Sequence, residues 1–469
     1  MKVNKTAVIC LIIYALITVL RLLKHVPWFD EAHAWTIAEQ LNFWDMFNYT
    51  KNEGHFFVWQ ALLYPFAHSH IIPYPYPMQA LNWLFCFAAL IIMWWKSPFN
   101  NWINALITFS FPFLGCYAIL ARCYSLGILL LFILAVLFDK KLKYPKTYAL
   151  LLILCANTSV MALIGATAFG ILFLVDIFKN HLSRKDYIFT GIILAIGAFL
   201  ILYQVLKVDY FSTIVENGPF YTTMIMFQNT YVYHSLLINS LMTVIFAIPL
   251  FAYIFRDKNS LFLMLFTCLV MLILCLRFYG INFWHAYFFY IFLIISFWIH
   301  KEKQYKTYTF AMCTLALISF ILIFHYPETS NARGIYDSEG DTINQYIESD
   351  ELLKKSTIIH NTGYIYEMIP YLKGKSYKVK NYCSIEDNTD YNLFFIFYGE
   401  CVRGNIFGQA QKHPDIIKAL AGDNVFAYTE KDKNPQINNY GIIMADGYSL
   451  IISKYKCFGN HCFWKIHVK

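Results

Sequence analysis

Residues 6–35 read TAVICLIIYALITVLRLLKHVPWFDEAHAW, an apolar run followed closely by the adjacent carboxylates Asp30 and Glu31. The run 6–24 is long enough to cross a bilayer. Acidic side chains at a membrane boundary lose hydration, so they are usually kept there for a function. No small-residue cleavage site follows the run, which therefore predicts a retained first transmembrane helix rather than a signal peptide.

The composition of the whole chain agrees with this start. Of 469 residues, 58% are hydrophobic and only 14% are charged, which is typical of a polytopic membrane protein. The net charge of +8 arises from basic residues in the short loops 140–146, 179–185, 256–258 and 301–306. This positive-inside pattern indicates the lipid bilayer as a partner and argues against nucleic acid. Low charge and the lack of other targeting elements favour a bacterial inner (plasma) membrane.

The apolar runs predict an all-α polytopic membrane protein with about 11 transmembrane helices, while 12 or 13 remain open. The single runs lie at about 6–24, 77–95, 101–119, 122–139, 187–206, 234–256, 260–279, 281–300 and 307–325. The stretch 147–178 has lysine-rich flanks, so we predict two helices joined by a turn at Asn157–Ser159. Parity excludes a crossing at 55–72, which contains Pro65 and three histidines and instead predicts an interfacial helix.

The composition changes near residue 327, where strand-like runs alternate with helical stretches and polar turns. We predict a membrane domain at 1–326, including an external loop 25–76 with juxtamembrane helices, and a small α+β domain at 327–469. An odd number of crossings makes this second domain extracytoplasmic, where disulfides are plausible. Its four cysteines allow three pairings, which the sequence leaves open: Cys383, Cys401, Cys457 and Cys462.

Asp30 and Glu31 are the first candidates for catalysis. A carboxylate can act as a general base toward a hydroxyl or an amine, and it can bind a divalent cation such as Mg²⁺ or Mn²⁺ together with phosphate. Adjacent side chains diverge, so the two carboxylates are expected to have separate roles. The structural alternative is an acidic first turn, in which Asp30 caps a helix and Glu31 opens it.

The order of these features resembles the GT-C membrane glycosyltransferases, in particular the protein O-mannosyltransferases and the bacterial lipid A aminoarabinose transferase. The resemblance covers about residues 1–325. Asp30-Glu31 resembles the acidic pair of that family, and His55 stands where a His-Pro-Pro triplet is common, although Phe56 and Phe57 replace the prolines. The resemblance implies an inverting transferase that uses a polyprenyl-phosphate-linked sugar on the outer side of the membrane. Its acceptor could be a lipid, a glycan or a protein.

Arg122 and Tyr124 belong to the segment Ala121–Leu126, which resembles the Arg-x-Tyr-x-Leu element of the same family. A guanidinium at the membrane surface can hold a lipid phosphate through bidentate hydrogen bonds. Tyr124 could share that phosphate. The alternatives are a snorkelling arginine that sets topology and a tyrosine that anchors the chain at the interface.

Arg277 and His285 lie in 277–287, which we predict to be a short external turn. The turn resembles a late Arg/His-Tyr position of related transferases, so the pair could stabilise the leaving phosphate; an aromatic belt is the alternative. His33 and His55 are near enough to Asp30 in sequence to contact substrate, although a lone interfacial histidine is more often structural. A later external carboxylate, present in several relatives, has only Asp209 and Glu216 as candidates.

The function predicted from these residues is glycosyl transfer (hexosyl or pentosyl) in cell-envelope glycosylation, with Asp30 and Glu31 catalytic. The alternative is a lipid-linked-glycan flippase or transporter without transferase activity. That class would place charged or helix-breaking residues in mid-span within two related halves. No internal repeat is visible in the sequence, and the candidate charges gather at the predicted outer boundary instead.

Overall fold

The computed structural model is mostly helical, with a small sheet near the C-terminus. It describes residues 4–50, 55–69, 71–180, 183–205, 254, 256–277, 283–301, 306–323, 340–360, 378–381, 425–430, 440–445, 448–458 and 461–468. The chain forms two compact units. The first unit comprises Met1–His25 and Leu41–Ile335, and the second comprises Val26–Gln40 and Tyr336–Lys469.

The first unit is helical throughout its described part. Its α-helices are α1 (Lys5–Leu22), α3 (Phe43–Tyr49), α4 (Val58–Ser69), α5 (Tyr76–Lys96), α6 (Asn101–Phe109), α7 (Tyr124–Leu137), α8 (Pro145–Ala156), α9 (Val160–Lys179), α10 (Arg184–Val205), α11 (Lys258–Arg277), α12 (Phe283–Ile299) and α13 (Lys306–Ile323). A π-helix covers Pro112–Tyr117 between α6 and α7. Helix α2 (Phe29–Gln40) belongs to the second unit.

Among the described residues, four helices are long and apolar enough to cross a membrane: α1, α5, α9 and α10 as far as Gln204. Shorter apolar segments lie in α8, α11, α12 and α13. Large apolar side chains remain exposed along α10, at spacings that place them on one face: Ile188, Ile192, Ile196, Phe199 and Leu202. An apolar face of this kind is compatible with contact to lipid.

Two predictions concern helix boundaries within apolar stretches. The two helices predicted within 147–178 are confirmed, because α8 ends at Ala156 and α9 begins at Val160 after the polar turn. The run 101–119 is not one continuous α-helix, because α6 ends at Phe109 and a π-helix follows at Pro112–Tyr117. Pro112 lacks a backbone N–H and its ring clashes with a preceding helical turn, which disfavours continuation of the α-helix through it. The predicted span 234–256 lies almost wholly outside the described residues.

The residues of the predicted external loop 25–76 are divided between the two compact units. Helix α4 has 12 residues and so rises only about 18 Å, which is short of a bilayer crossing. Helices α3 and α4 belong to the first unit, whereas Val26–Gln40 groups with the C-terminal region. The first unit ends at Ile335 and the second resumes at Tyr336.

The second unit contains a six-stranded mixed sheet in the order β2-β1-β3-β6-β5-β4. Its strands are β1 (Thr357–His360), β2 (Lys378–Asn381), β3 (Val425–Glu430), β4 (Tyr440–Ala445), β5 (Tyr448–Phe458) and β6 (His461–Val468). Strand β1 pairs in parallel with β2 and β3, and the remaining pairs are antiparallel. Helix α14 (Gly340–Ser349) precedes the sheet. The α+β character predicted for the tail is confirmed in these described elements.

A disulfide joins Cys457 and Cys462, which face each other where β5 turns into β6. This is one of the pairings left open by the sequence. Cys383 and Cys401 lie outside the described residues. The bond cross-links the β5–β6 hairpin close to its turn. Strand β6 of this hairpin also pairs with β3, so the bond lies at one end of the antiparallel part of the sheet.

Asp350 connects the end of α14 to strand β5. Its carboxylate accepts hydrogen bonds from the Tyr455 hydroxyl at 2.7 Å and from the backbone N–H groups of Leu352 and Leu353 at 3.0 and 3.1 Å. Partial burial acts to raise the pKa of Asp350, but these hydrogen bonds outweigh it and lower the pKa below its ordinary value. The same bond raises the pKa of Tyr455 to about 12.

The lowered pKa of Asp350 predicts acid sensitivity in the second unit. A carboxylate whose pKa is lower in the folded than in the unfolded protein stabilises the folded state at pH values above its unfolded pKa, near 4. That stabilisation is lost as the pH falls through the pKa that the group has in the folded protein. We expect Asp350→Asn to cost about 1 kcal/mol or less at pH 7, and this cost to disappear once the pH is below the lowered pKa of Asp350 in the folded protein. Unfolding of both proteins between pH 3 and 7 would measure the difference, and a difference independent of pH would contradict the prediction.

Candidate functional site

The break between α6 and α7 is supported by polar side chains of α1. The Tyr14 hydroxyl donates to the Phe113 carbonyl at 2.9 Å, and Nη1 of Arg21 donates to the Leu114 carbonyl at 3.2 Å. Backbone groups that leave regular helical bonding inside a membrane need partners, because lipid supplies none. These two side chains therefore stabilise the π-helix, a local form that is often found at functional sites.

Tyr117, the last residue of the π-helix, connects three further helices. Its carbonyl accepts hydrogen bonds from Nδ2 of Asn82 in α5 at 2.9 Å and from Oγ of Ser125 in α7 at 2.6 Å. Its own hydroxyl donates to the carbonyl of Trp284 in α12 at 2.8 Å. Tyr117 is fully buried, so it fixes the start of α7 against the start of α12.

Tyr124 is the first residue of α7, and its hydroxyl lies between two imidazoles. The distances are 2.9 Å to Nε2 of His285 and 3.3 Å to Nε2 of His55. The guanidinium carbon of the half-buried Arg122 lies 5.5 Å from the centre of the Tyr124 ring, within the range of a cation–π interaction. We call Arg122, Tyr124, His285 and His55 the Tyr124 cluster. It combines a fixed cation with a phenol and two imidazoles.

Trp284 determines which nitrogen of His285 carries the proton. Its indole N–H, which can only donate, lies 3.0 Å from Nε2 of His285. Nε2 therefore accepts, and the proton of this neutral histidine is assigned to Nδ1 on the basis of that hydrogen bond. Adding a proton at Nε2 would place two donors face to face. The contact thus favours neutral His285, while His55, half-buried at the start of its loop, is the more accessible imidazole.

Glu31 and Asp30 differ in their surroundings within the second unit. Helix α2 begins at Phe29, and Oε2 of Glu31 accepts the backbone N–H of Trp28 at 3.1 Å. This is the hydrogen bond that the third helical residue makes in a capping box. Glu31 is fully buried, whereas Asp30 is half-buried. The expectation that Asp30 caps the helix is wrong, because Asp30 is its second residue and Glu31 makes this bond.

The remaining predicted site residues are placed as follows. His33 is buried in α2, at 5% exposure, in the same unit as Asp30. Arg277 is the last residue of α11, and the surroundings of its side chain lie outside the described part of the chain, as do Asp209 and Glu216. The turn predicted at 277–287 is wrong from Phe283 onward, because α12 begins there, and residues 278–282 lie outside the described part of the chain. His285 is thus in the first turn of a helix.

A metal site at Asp30 or Glu31 finds no support in the described residues. No group of three or more histidine, cysteine, aspartate or glutamate side chains is placed there to hold an ion. Oε2 of Glu31 accepts the backbone N–H of Trp28. A divalent cation at Asp30 or Glu31 stays a prediction.

Sequence reasoning identified the four residues of the Tyr124 cluster but missed two that hold them. Trp284 fixes the tautomer of His285, and Tyr117 anchors the start of α12. Trp284 had no signal beyond its position next to His285. Pro112 was the available signal for Tyr117, since a proline within an apolar run predicts that regular helix ends there and its backbone needs other partners.

Comparison with models of protein families finds no match for this chain. A search of curated proteins finds no match either. The resemblance to GT-C transferases therefore depends on the residues quoted from the sequence.

Proposed function

We propose that this protein is an integral-membrane glycosyltransferase that moves a sugar from a polyprenyl-phosphate donor to an acceptor on the outer side of the membrane. The observation that carries the proposal is the Tyr124 cluster. His55 and His285 come from distant parts of the sequence, yet Nε2 of each lies within hydrogen-bond distance of the Tyr124 hydroxyl, and the Arg122 guanidinium lies over the Tyr124 ring. A concentration of cationic and hydrogen-bonding groups in an apolar protein suits an anionic lipid headgroup.

The proposed role of the cluster is to hold the donor phosphate. Phosphate is already a competent leaving group, so its departure needs positioning and charge stabilisation more than strong acid catalysis. Arg122 would bind phosphate oxygens through its planar guanidinium, and the Tyr124 hydroxyl would turn its single proton from Nε2 of His285 to a phosphate oxygen. His285 and His55 would hold the phenol in place. Such preorganised donors stabilise charge where it develops in the transition state.

The proposed role of Asp30 is to activate the acceptor. The acceptor oxygen attacks the anomeric carbon, the bond from that carbon to the phosphate oxygen breaks, and its electron pair leaves with the phosphate. The acceptor proton passes to the Asp30 carboxylate. Attack opposite to the leaving phosphate inverts the anomeric configuration. Glu31 is the weaker catalytic candidate, because its carboxylate already bonds the backbone of Trp28.

The proposed location places the second unit and the Tyr124 cluster outside the cytoplasm, with about 11 crossings. The Cys457–Cys462 disulfide supports this placement, since such bonds persist mainly in oxidising compartments. Reporter fusions at Lys51 and Lys375 should both report an extracytoplasmic position. A cytoplasmic signal at Lys375 would contradict the topology.

A transfer assay tests the function directly. Membranes containing the protein are incubated with labelled polyprenyl-phosphate sugars, and products are identified by mass spectrometry. We expect an acceptor to gain one sugar as free polyprenyl phosphate appears, and Asp30→Asn membranes to lack the product. Movement of the intact lipid-linked sugar across the membrane without any product would instead favour a flippase.

Tyr124→Phe should lower transfer by about 10- to 100-fold, because it removes one hydrogen-bond donor from the phosphate site. The ring contacts of Tyr124 with Tyr117 and Phe288 remain, so folding should be preserved. Tyr290→Phe is a matched control, since Tyr290 is also a buried tyrosine of the first unit and its hydroxyl bonds Ser319. Initial rates at several donor concentrations measure both variants, and equal losses would contradict the assigned role.

A further inference from the structure

Helix α2, which carries both candidate catalytic carboxylates, is not part of the helical unit that precedes and follows it in sequence. The chain leaves the first unit after His25 and re-enters it at Leu41. The 15 residues between these points, Val26–Gln40, form one compact unit with Tyr336–Lys469. The second unit is therefore assembled from two segments that are separated by almost 300 residues.

The residues of α2 are buried along most of the helix. Every residue from Glu31 to Ala38 is buried. Eight residues make more than two turns, so all faces of the helix are covered. The set includes polar side chains that need partners when they are buried, namely Glu31, His33 and Thr36.

Helix α2 has only 12 residues, and a helix of this length is marginal in isolation. Its end is stabilised by the Glu31 bond to Trp28, and Thr36 donates to the Ala32 carbonyl at 2.7 Å. Local bonds of this kind do not maintain a short helix without packing. The formation of α2 therefore depends on packing against other parts of the chain, and Val26–Gln40 groups with Tyr336–Lys469.

We propose that the C-terminal unit is the scaffold that forms α2 and thereby positions Asp30, so that it is a working part of the transferase rather than an appended domain. The role of Asp30 in this statement rests on the proposed function. The dependence of α2 on the C-terminal unit does not. In this view residues 336–469 act as a positioning element for the acceptor step.

Hydrogen–deuterium exchange on the full-length protein in detergent or nanodiscs separates these two statements. Phe463→Ala removes a fully buried ring from β6, in the middle of the sheet, and should open the second unit locally. We expect amides of α2 to exchange on the order of tenfold faster in this variant, together with those of β5 and β6. Amides of α5 and α9 should keep their wild-type rates.

Phe169→Ala is the matched control, because it removes a fully buried ring from α9 in the first unit. It should speed exchange in α9 and its neighbours and leave α2 unchanged. Ile466→Val provides a milder change in β6 and should accelerate α2 by a smaller factor. If Phe463→Ala unfolds the second unit completely, α2 must lose its protection too. Protection of α2 that survives Phe463→Ala, or that is lost in Phe169→Ala instead, would overturn the proposal.

The transfer assay supplies the second readout. Phe463→Ala should lower the rate at saturating donor without raising the donor KM, since the donor phosphate is assigned to the first unit. Full transfer despite loss of α2 protection would overturn the positioning role. Coupled exchange in a wild-type protein that transfers no sugar would refute the proposed function and leave the dependence of α2 standing.

Discussion

Asp30→Asn should reduce transfer by at least about 10³-fold, while the protein still inserts into the membrane and folds. An amide cannot take the acceptor proton, and it provides no negative charge to orient a hydroxyl. The substitution is nearly isosteric, and Asp30 is the second residue of α2 rather than its N-cap. Transfer rates measured per amount of purified protein, with exchange protection of α2 as the folding check, test the prediction.

Glu31→Gln is the matched control, because it makes the same chemical change at the adjacent position. Glutamine can still accept the Trp28 N–H through its side-chain oxygen, and Gln is the other residue found at this position of a capping box. We expect Glu31→Gln to retain most activity and Glu31→Ala to destabilise α2 by about 1 kcal/mol. An active Asp30→Asn enzyme, or an inactive Glu31→Gln enzyme with a protected α2, would contradict the division of roles.

The sequence predicts helices well where polar residues interrupt an apolar run. Asn157–Ser159 marked the turn between α8 and α9, and Ser159 caps α9 by accepting the Ala162 N–H. The run 101–119 has no such polar interruption, so hydropathy predicted one span. The break there depends on backbone geometry at Pro112 and on partners supplied by α1 and α5. A hydropathy pattern contains no information about backbone geometry or about hydrogen-bond partners from other helices.

The candidate site shows a similar limit. Arg122, His55 and His285 were identified because each lies at the boundary of an apolar segment. The contacts of His55 and His285 with Tyr124 join residues that are 69 and 161 positions apart, which no local pattern encodes. The assignment of α2 to the C-terminal unit is likewise a long-range packing result. The spacing of apolar and polar residues in Phe29–Gln40 can predict a helix there. It cannot predict which other part of the chain that helix groups with.

Arg122→Gln should lower kcat/KM for the polyprenyl-phosphate donor by about 10²- to 10³-fold, mainly through a higher KM. The change removes the one fixed positive charge in the Tyr124 cluster. Arg122→Lys restores a charge but not the planar, bidentate donor set, so we expect an intermediate loss. Titrating the donor against a fixed acceptor separates this effect from a loss of acceptor activation, which would lower kcat.

Arg21→Gln distinguishes a phosphate ligand from a basic residue that only supports the fold. Arg21 also lies beside the π-helix, where it donates to the Leu114 carbonyl at 3.2 Å. Its loss should cost about 1 kcal/mol of stability, as for one hydrogen bond, and leave the donor KM near its wild-type value. If both variants raised the donor KM equally, a diffuse effect of positive charge on an anionic lipid would explain the result. A selective effect of Arg122, graded from Lys to Gln, requires direct contact between its guanidinium and the phosphate.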